Sequence, residues 1–216
     1  RQVIPDNKLN SLFRKVYREY QQDKSPSEAV ISDLQTAIAY AKNMMLTEEQ
    51  ISEIDSDYPN FSLMFKRYCD LLEEQDQMDF DDQMIFAHRI LTSISSESEY
   101  WQNRYRYICV DEAQDTSKVQ HEIIRMIAHG NNVFMVGDED QCIYGFRAAY
   151  PKALLHFQAD YNNPNILRME RNYRSTPQIV ELAQRHIIGN VERYNKTMVA
   201  DRDDGKPVEL ITVNSL

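Results

Sequence analysis

Two acidic side chains follow an apolar run, at a position where parallel sheets commonly carry catalytic carboxylates. The run Tyr107–Val110 is continuously apolar and β-prone, as is typical of a strand that is buried on both faces of a parallel sheet. Asp111 ends the run and Glu112 follows it. Ligands of open parallel sheets bind at the carboxyl ends of the strands. Asp111 could therefore serve Mg²⁺, and Glu112 could orient or deprotonate a water that attacks a phosphoryl group.

A second cluster follows the next apolar run, Val133–Val136, and should lie at the same edge of the sheet. Within it, Gln141 is neutral and could contact a γ-phosphate or its attacking water. Tyr144, Phe146 and Arg147 combine two rings with a cation, as surfaces that bind single-stranded nucleic acid do. The cluster predicts a link between phosphate chemistry and DNA.

A third cluster places an aromatic ring beside a cation, just before a helix predicted to begin near Pro177. The ring of Tyr173 could stack on a purine. The guanidinium of Arg174 could neutralise charge that develops on a transferred phosphoryl group. Taken singly, each of the three clusters also has an ordinary structural interpretation: a turn with a helix cap, core aromatic rings with a surface charge, or a loop salt bridge.

The elements around these clusters change character near Tyr100. Residues 7–95 show apolar side chains at helical spacing, with a capping box predicted at Thr47 and Gln50, and their aromatic and Met stripes indicate core packing. The later part alternates strands and helices in βαβ order. Its predicted elements are strands at 107–110, 133–136, 166–169 and 208–213, and helices at 118–129, with Gly130 after its end, and 177–188.

The order and spacing of the clusters resemble motifs II, III and IV of the UvrD/Rep/PcrA branch of superfamily 1 helicases. The matching segments are YICVDEAQDT, GDEDQCIYGFRAA and LRMERNYRST. Upstream, Met78–Asp82 resembles the L-D-F-D-D-L segment of that family, and Gly205–Val208 resembles a turn and strand of its second motor domain. The resemblance is specific from Met78 onward and rests on helical character before that residue.

The resemblance implies roles for individual residues. Asp111 would coordinate Mg²⁺, Glu112 would be the catalytic base, and Gln141 would contact the γ-phosphate of ATP. Tyr173 would stack on adenine, and Arg174 would be the arginine finger. Tyr144, Phe146 and Arg147 would touch single-stranded DNA. The second motif departs from the commoner wording Q-S-I-Y-x-W-R-G-A at three positions. Phe146 in place of Trp keeps a stacking face, Cys142 in place of Ser weakens a hydroxyl hydrogen bond, and Ala148 in place of Gly removes some backbone freedom.

The implied fold is α/β, with part of a RecA-like P-loop NTPase parallel sheet and an N-terminal all-helical subdomain. Residues 1–98 would form the helical 1B-type subdomain and a linking helix. Residues 99–172 would form the carboxyl-terminal part of motor domain 1A, and residues 173–216 the start of motor domain 2A. ATP, Mg²⁺ and single-stranded or duplex DNA are the implied cofactors and partners, with 3′ to 5′ polarity implied by the resemblance alone.

The net charge would by itself argue against a nucleic-acid protein, but its distribution matters more, and the cysteine content indicates a reducing cytoplasm. The net charge of −10 comes from an acidic stretch, residues 47–115, which holds 17 acidic and 5 basic side chains. Residues 146–196 hold eight Lys or Arg against four Asp or Glu, so DNA contacts are expected there. Three widely spaced cysteines predict neither disulfides nor a zinc site. The apolar runs are too short to span a membrane.

The phosphate-binding pattern GxxxxGK[ST] is missing from the sequence. We therefore interpret the chain as an internal piece of a longer helicase and expect the piece alone to be inactive. One alternative is a DNA-binding or protein-interaction module that keeps the fold without turnover. Another is a metal-dependent nuclease that would use Asp79, Asp81, Asp82 and Asp111.

Overall fold

The computed structural model describes residues 1–21, 25–55, 58–128, 133–142 and 149–212. The helices are α1 (Asp6–Tyr20), α2 (Glu28–Asn43), α3 (Glu48–Ile54), α4 (Phe61–Glu74), α5 (Phe80–Ser93), α6 (Ser95–Arg104), α7 (Lys118–Ile127), α8 (Lys152–Leu155), α9 (Phe157–Asp160) and α10 (Pro177–Ile187). The strands are β1 (Gln2–Val3), β2 (Gln77–Met78), β3 (Ile108–Val110), β4 (Val133–Met135), β5 (Arg171–Asn172) and β6 (Val199–Ala200). Within the described residues, no helix is long and apolar enough to cross a membrane.

The apolar stripes of α1 to α4 form the main core, as their helical spacing predicts. The ring of Tyr68 on α4 stacks on Phe13 of α1, with centroids 4.6 Å apart. Each large apolar side chain that is fully buried stabilises the fold by about 1.5–3 kcal/mol. The predicted capping box of α3 is confirmed, because the Thr47 side chain accepts from Gln50 N and the Gln50 side chain accepts from Thr47 N. The core comprises Ile4, Leu12, Phe13, Val16, Ile31, Leu34, Ile38, Ala41, Ile51, Phe61, Met64, Tyr68, Leu71 and Leu72.

A buried charge network centred on Lys42 joins α2 to the start of α5. Lys42 is 5% exposed, and its Nζ donates to Asp79 Oδ2 and to Asp82 Oδ1, both at 2.7 Å. The Tyr68 hydroxyl also donates to Asp79 Oδ2, at 2.7 Å. Asp79 in addition caps α5, because its Oδ1 accepts from Asp82 N at 2.7 Å. We call these four side chains the Lys42 network.

The Lys42 network accounts for carboxylates that the nuclease alternative would have used as metal ligands. Burial raises the pKa of Asp79, but the charge of Lys42 and the hydrogen bonds lower it more, and the pKa lies below its ordinary value. Burial lowers the pKa of Lys42, yet Asp79 and Asp82 outweigh it and hold that pKa above its ordinary value. The third carboxylate, Asp81, accepts from Asn43 at 2.7 Å. These partners argue for a structural role.

We expect Lys42→Met to lower the free energy of unfolding by about 3–5 kcal/mol, because it leaves buried carboxylates without their cation. The matched control is Lys66→Met on α4. Lys66 pairs with Asp70 at 3.2 Å on the surface, with 74% of its side chain exposed, and its loss should cost about 1 kcal/mol or less. Urea unfolding of the chain measures both changes. Equal effects of the two substitutions would contradict a stabilising role for the Lys42 network.

The predicted α/β class is confirmed in its coarser form, since the described residues form helices and three parallel sheets of two strands each. The RecA-like sheet stays a prediction. The expectation that residues 1–98 are all-helical is wrong, because this segment also contains the paired strands β1 and β2. The pairs are β1 with β2, β3 with β4, and β5 with β6. The predicted helices 118–129 and 177–188 are present as α7 and α10, while Gly130 lies outside the described residues.

Three expectations about strands are wrong. Residues 166–169 form no strand, and the nearby strand is β5, which pairs with β6 across 28 positions of sequence. Residues 208–212 also form no strand, while 213 lies outside the described residues. The pair of β3 and β4 is not buried on both faces, because Cys109 and its register partner Phe134 are exposed and share one face. Apolar side chains make a strand probable, but burial depends on what covers it.

The chain divides into two compact units. The first comprises Arg1–Asp138 and Cys142–Leu154, and the second comprises Glu139–Gln141 and Leu155–Leu216. In the first unit, α5 packs against α2, α6 and α7, and so connects the helical core to the helix that follows β3. In the second unit, α10 packs against β6. The division into 1–98, 99–172 and 173–216 stays a prediction.

Candidate active site

Asp111 and Glu112 lie at the carboxyl end of the parallel pair of β3 and β4, as predicted. Hydrogen bonds extend the pairing past the strand ends, from Val136 N to Val110 O at 2.8 Å and from Ala113 N to Val136 O at 3.0 Å. The chain then turns sharply, with Glu112 in the left-handed region (φ 48°, ψ 44°) before a 3₁₀ turn at Ala113–Asp115. Both carboxylates are exposed. The turn thus presents two adjacent acids at the edge of the sheet.

The Asp111 carboxylate has the chemistry expected of a magnesium ligand. Its Oδ1 accepts from Glu112 N at 2.9 Å, which fixes the side chain against the turn. Within the described ranges, Oδ2 makes no hydrogen bond and faces no cation of the chain. Carboxylate oxygens bind Mg²⁺ either directly or through its water shell. Asp111 therefore fits the metal role that the sequence predicts for it.

Glu112 is held by a side chain that sequence reasoning did not single out, Gln114. This amide is only 2% exposed. Its Nε2 donates to Glu112 Oε2 at 2.7 Å, and its Oε1 accepts from Asp138 N at 3.0 Å. The available signal was an uncharged amide inside an otherwise acidic turn, but only the fold shows that Asp138 lies opposite it.

His121 of α7 supports the turn that follows Glu112 through hydrogen bonds. His121 is buried, and its Nε2 lies 3.2 Å from Ala113 O and 2.6 Å from Thr116 Oγ1. Thr116 Oγ1 also donates to Ala113 O at 2.7 Å. Ser117 begins α7 with a capping box formed with Gln120. These bonds hold the backbone that directly follows the two acids.

The acidic residues of the second cluster are mostly occupied by ion pairs within the second unit. Asp140 accepts two hydrogen bonds from Arg193, at 2.8 and 2.7 Å, and Lys196 Nζ lies 3.1 Å from both Asp140 and Glu139. Burial raises the pKa of Asp140, but these two cations outweigh it and hold that pKa below its ordinary value. Gln141 ends a second 3₁₀ turn, Glu139–Gln141, and is exposed. Its γ-phosphate role stays a prediction.

The three residues predicted to contact DNA, Tyr144, Phe146 and Arg147, lie outside the described residues. Their role stays a prediction. Cys142, where the family's commoner wording has Ser, is described, and its thiol donates to Gln114 O at 3.5 Å.

Tyr173 and Arg174 follow β5 in a turn organised by Asn172. Asn172 Oδ1 accepts from Arg174 N at 2.9 Å and from Ser175 N at 2.8 Å, and α10 begins soon after with Pro177. The Tyr173 ring is 63% exposed and Arg174 is also exposed. Across the described part of the chain, the Arg174 guanidinium makes no hydrogen bond or ion pair. The turn therefore offers a ring and a cation to a ligand.

The predicted site residues thus fall into two groups. The first unit brings Asp111 and Glu112 together at one sheet edge, while Gln141, Tyr173 and Arg174 belong to the second unit. Tyr173 and Arg174 are neighbours on one turn.

Comparison with known proteins relates this chain to a family of DNA motors. Residues 2–162 match the model of the UvrD/REP helicase N-terminal domain. The chain is 34% identical over 175 residues to a probable DNA helicase II homolog of Rickettsia conorii, covering 79% of this chain and 27% of that protein. It is 33% identical over 177 residues to the ATP-dependent DNA helicase Rep of Buchnera aphidicola, covering 81% and 27%.

A third relative is the ATP-dependent DNA helicase PcrA of Staphylococcus epidermidis, 33% identical over 176 residues, with coverage of 80% of this chain and 24% of that protein. The chain spans about a quarter of the length of the curated relatives that it matches.

Proposed function

This chain belongs to the UvrD/REP helicase family. We propose that it is the part of an ATP-dependent DNA helicase that carries the hydrolytic carboxylates and the arginine finger. The proposal extends to the full-length protein, in which ATP hydrolysis would drive movement along single-stranded DNA. The 3′ to 5′ polarity rests on the resemblance of the motifs alone.

One observation carries the proposal: an exposed pair of acids stands where a parallel strand pair ends, and the second acid is held by a buried amide. Glu112 Oε2 accepts from Gln114, and Oε1 remains available to accept a proton from a water molecule. The water oxygen would then bond to the γ-phosphorus of ATP while the bond from phosphorus to the bridging oxygen of ADP breaks. When bound at Asp111, Mg²⁺ would neutralise phosphate charge.

The roles proposed for Tyr173, Arg174 and Gln141 of the second unit all concern the nucleotide. We assign Tyr173 to adenine stacking because its ring is exposed on a turn with a fixed backbone. Arg174 would neutralise charge on the transferred phosphoryl group, since its guanidinium has no competing partner in the described chain. Gln141 would contact the γ-phosphate. Tyr144, Phe146 and Arg147 would bind single-stranded DNA.

The strand pair of β3 and β4 would be part of a larger RecA-like sheet. Its register is parallel, and its exposed face carries Cys109 and Phe134, which a buried sheet would cover. The division into a 1B-type helical subdomain (1–98), part of 1A (99–172) and the start of 2A (173–216) belongs to the same proposal.

We expect the 216-residue chain alone to show no ATP hydrolysis above the buffer rate, because its sequence contains no GxxxxGK[ST] loop to cradle the phosphates. A full-length protein carrying this chain should hydrolyse ATP only with Mg²⁺ and should be stimulated by single-stranded DNA. Phosphate release measures both. Turnover by the chain alone that Glu112→Gln abolishes would contradict the expected inactivity. A full-length protein without DNA-stimulated hydrolysis would contradict the proposed function.

A further inference from the structure

Gln114 is a buried polar side chain whose two ends have chemically opposite partners. Its Nε2 meets the Glu112 carboxylate, which can only accept, and its Oε1 meets the Asp138 backbone N–H, which can only donate. A flipped amide would place two acceptors together at one end and two donors at the other. The partners therefore fix the orientation of the amide. Both of its polar ends have hydrogen-bond partners, so its burial leaves neither end unsatisfied.

The residues around Gln114 leave space for its side-chain amide and also bond to its backbone. A Cβ at Gly137 would lie 2.7 Å from Gln114 Oε1 and 2.8 Å from a methyl carbon of Leu154, so a larger residue at 137 would have to displace the Gln114 amide or the Leu154 side chain. Cys142 Sγ donates to Gln114 O at 3.5 Å, which ties the backbone of the same residue to the segment after β4. Gln114 is thus held at its backbone carbonyl by Cys142 and at both ends of its side-chain amide by Glu112 and Asp138.

The orientation of the Glu112 side chain depends on its hydrogen bond with Gln114. Its backbone is left-handed, a conformation that few residues other than glycine adopt and that structures keep where surrounding contacts over-determine it. Its carboxylate is exposed, and in the described chain its one hydrogen bond comes from Gln114. Without that bond, the exposed side chain would be free to change rotamer.

We propose that Gln114 is a positioning residue for hydrolysis, holding Glu112 in the rotamer that aims Oε1 at the attacking water. The amide links Glu112 to Asp138, three residues before Gln141 in the chain. This inference rests on the proposed function, because it assumes that Glu112 is the base.

The test in the full-length protein compares two single substitutions at position 114. Gln114→Glu keeps the size of the side chain but sets a carboxylate against Glu112, while Gln114→Met removes both polar atoms. Each is expected to lower kcat by about 10- to 100-fold, since a displacement of about 1 Å in a catalytic group can cost that much. KM for ATP should change by less than about threefold, because a rotamer change of Glu112 leaves ground-state binding intact.

A double variant separates positioning from general damage. If Gln114 acts through Glu112, Gln114→Met added to Glu112→Gln should lower the single-turnover rate no further. Val119→Ala is the matched control, because Val119 is fully buried on α7, close to Gln114 in sequence, and its apolar side chain cannot hydrogen-bond to Glu112. It should leave kcat within about twofold at equal folded fraction. Losses that multiply, an unchanged kcat, or an equal loss in Val119→Ala would overturn the proposal.

A second readout uses the 216-residue chain and does not depend on ATP hydrolysis. Gln114→Met should raise the amide exchange rate of Asp138 by about tenfold or more, because its N–H loses a buried acceptor. Amides of α1 to α4 should keep their exchange rates. Unchanged exchange at Asp138 would overturn the link itself. If exchange rises while the full-length protein hydrolyses no ATP, the link stands and the assignment of Glu112 as a base fails with the proposed function.

Discussion

Arg174→Ala in the full-length protein is expected to lower kcat for ATP hydrolysis by a factor on the order of 10³–10⁵, with only a modest rise in KM for ATP. An arginine that neutralises charge on a transferred phosphoryl group acts mainly in the transition state, and such arginines contribute rate factors of about this size. The structure supports this role because the Arg174 guanidinium is exposed on a turn set by Asn172 and has no partner in the described residues.

The matched control is Arg171→Ala, three positions earlier. Arg171 is also exposed, but its guanidinium is 2.9 Å from Asp201, so it has a structural partner. Its removal should cost about 1 kcal/mol or less of stability and should leave kcat nearly unchanged. Arg174→Lys keeps the charge but loses the planar fork and should give an intermediate rate. Equal rates for wild type and Arg174→Ala would remove the assignment, as would equal losses at 171 and 174.

Glu112→Gln in the full-length protein should lower kcat by a factor of about 10²–10⁴, the usual contribution of a positioned general base. The amide is nearly the same size as the carboxylate, and its oxygen can still accept from Gln114 Nε2, so the turn should keep its shape. ATP binding should therefore persist. Phosphate release in single-turnover conditions measures the chemical step, and fluorescence titration with a labelled ATP analogue measures binding.

Glu122→Gln supplies the control for the same chemical change nearby. Glu122 lies on α7 and pairs with Arg125 at 2.6 Å, one turn along the helix surface. Loss of this pair should leave kcat within about twofold, since such surface pairs contribute little. A full rate for Glu112→Gln would show that another group accepts the proton. A loss of ATP binding equal to the loss of rate would show that Glu112 acts in binding.

Much of the candidate site could be predicted from the sequence because its signals are local. An apolar run that ends in Asp111 and Glu112 predicts a strand with acids at its carboxyl end, and the structure has that arrangement. Tyr173 and Arg174 precede a helix with Pro177 at its first position, again a pattern within a few residues. The order of three such patterns along the chain was enough to identify the family.

Interactions between distant parts of the chain could not be predicted in the same way. The strand expected at 166–169 was wrong because apolar side chains do not define a pairing partner, and pairing with β6 selects Arg171 and Asn172 instead. The expectation that β3 is buried on both faces was wrong for a related reason. Its side chains suit a buried strand, but Cys109 and Phe134 have no covering layer in the described chain.

The sequence by itself determined the helical core, the helix caps, the family and the chemistry of the acids. Each of these depends on a pattern of residues that are close together in the chain. The tertiary structure decided which carboxylates are free to act. Asp79 and Asp82 look as reactive in sequence as Asp111, but Lys42, 37 positions before Asp79, neutralises them in the core. In the sequence, Gln114 is likewise an ordinary residue of a turn. Only the fold places Asp138, 24 positions away, opposite it. Hydrogen bonds and charge pairs act over a few ångströms of space, so their partners are set by the fold rather than by distance along the chain.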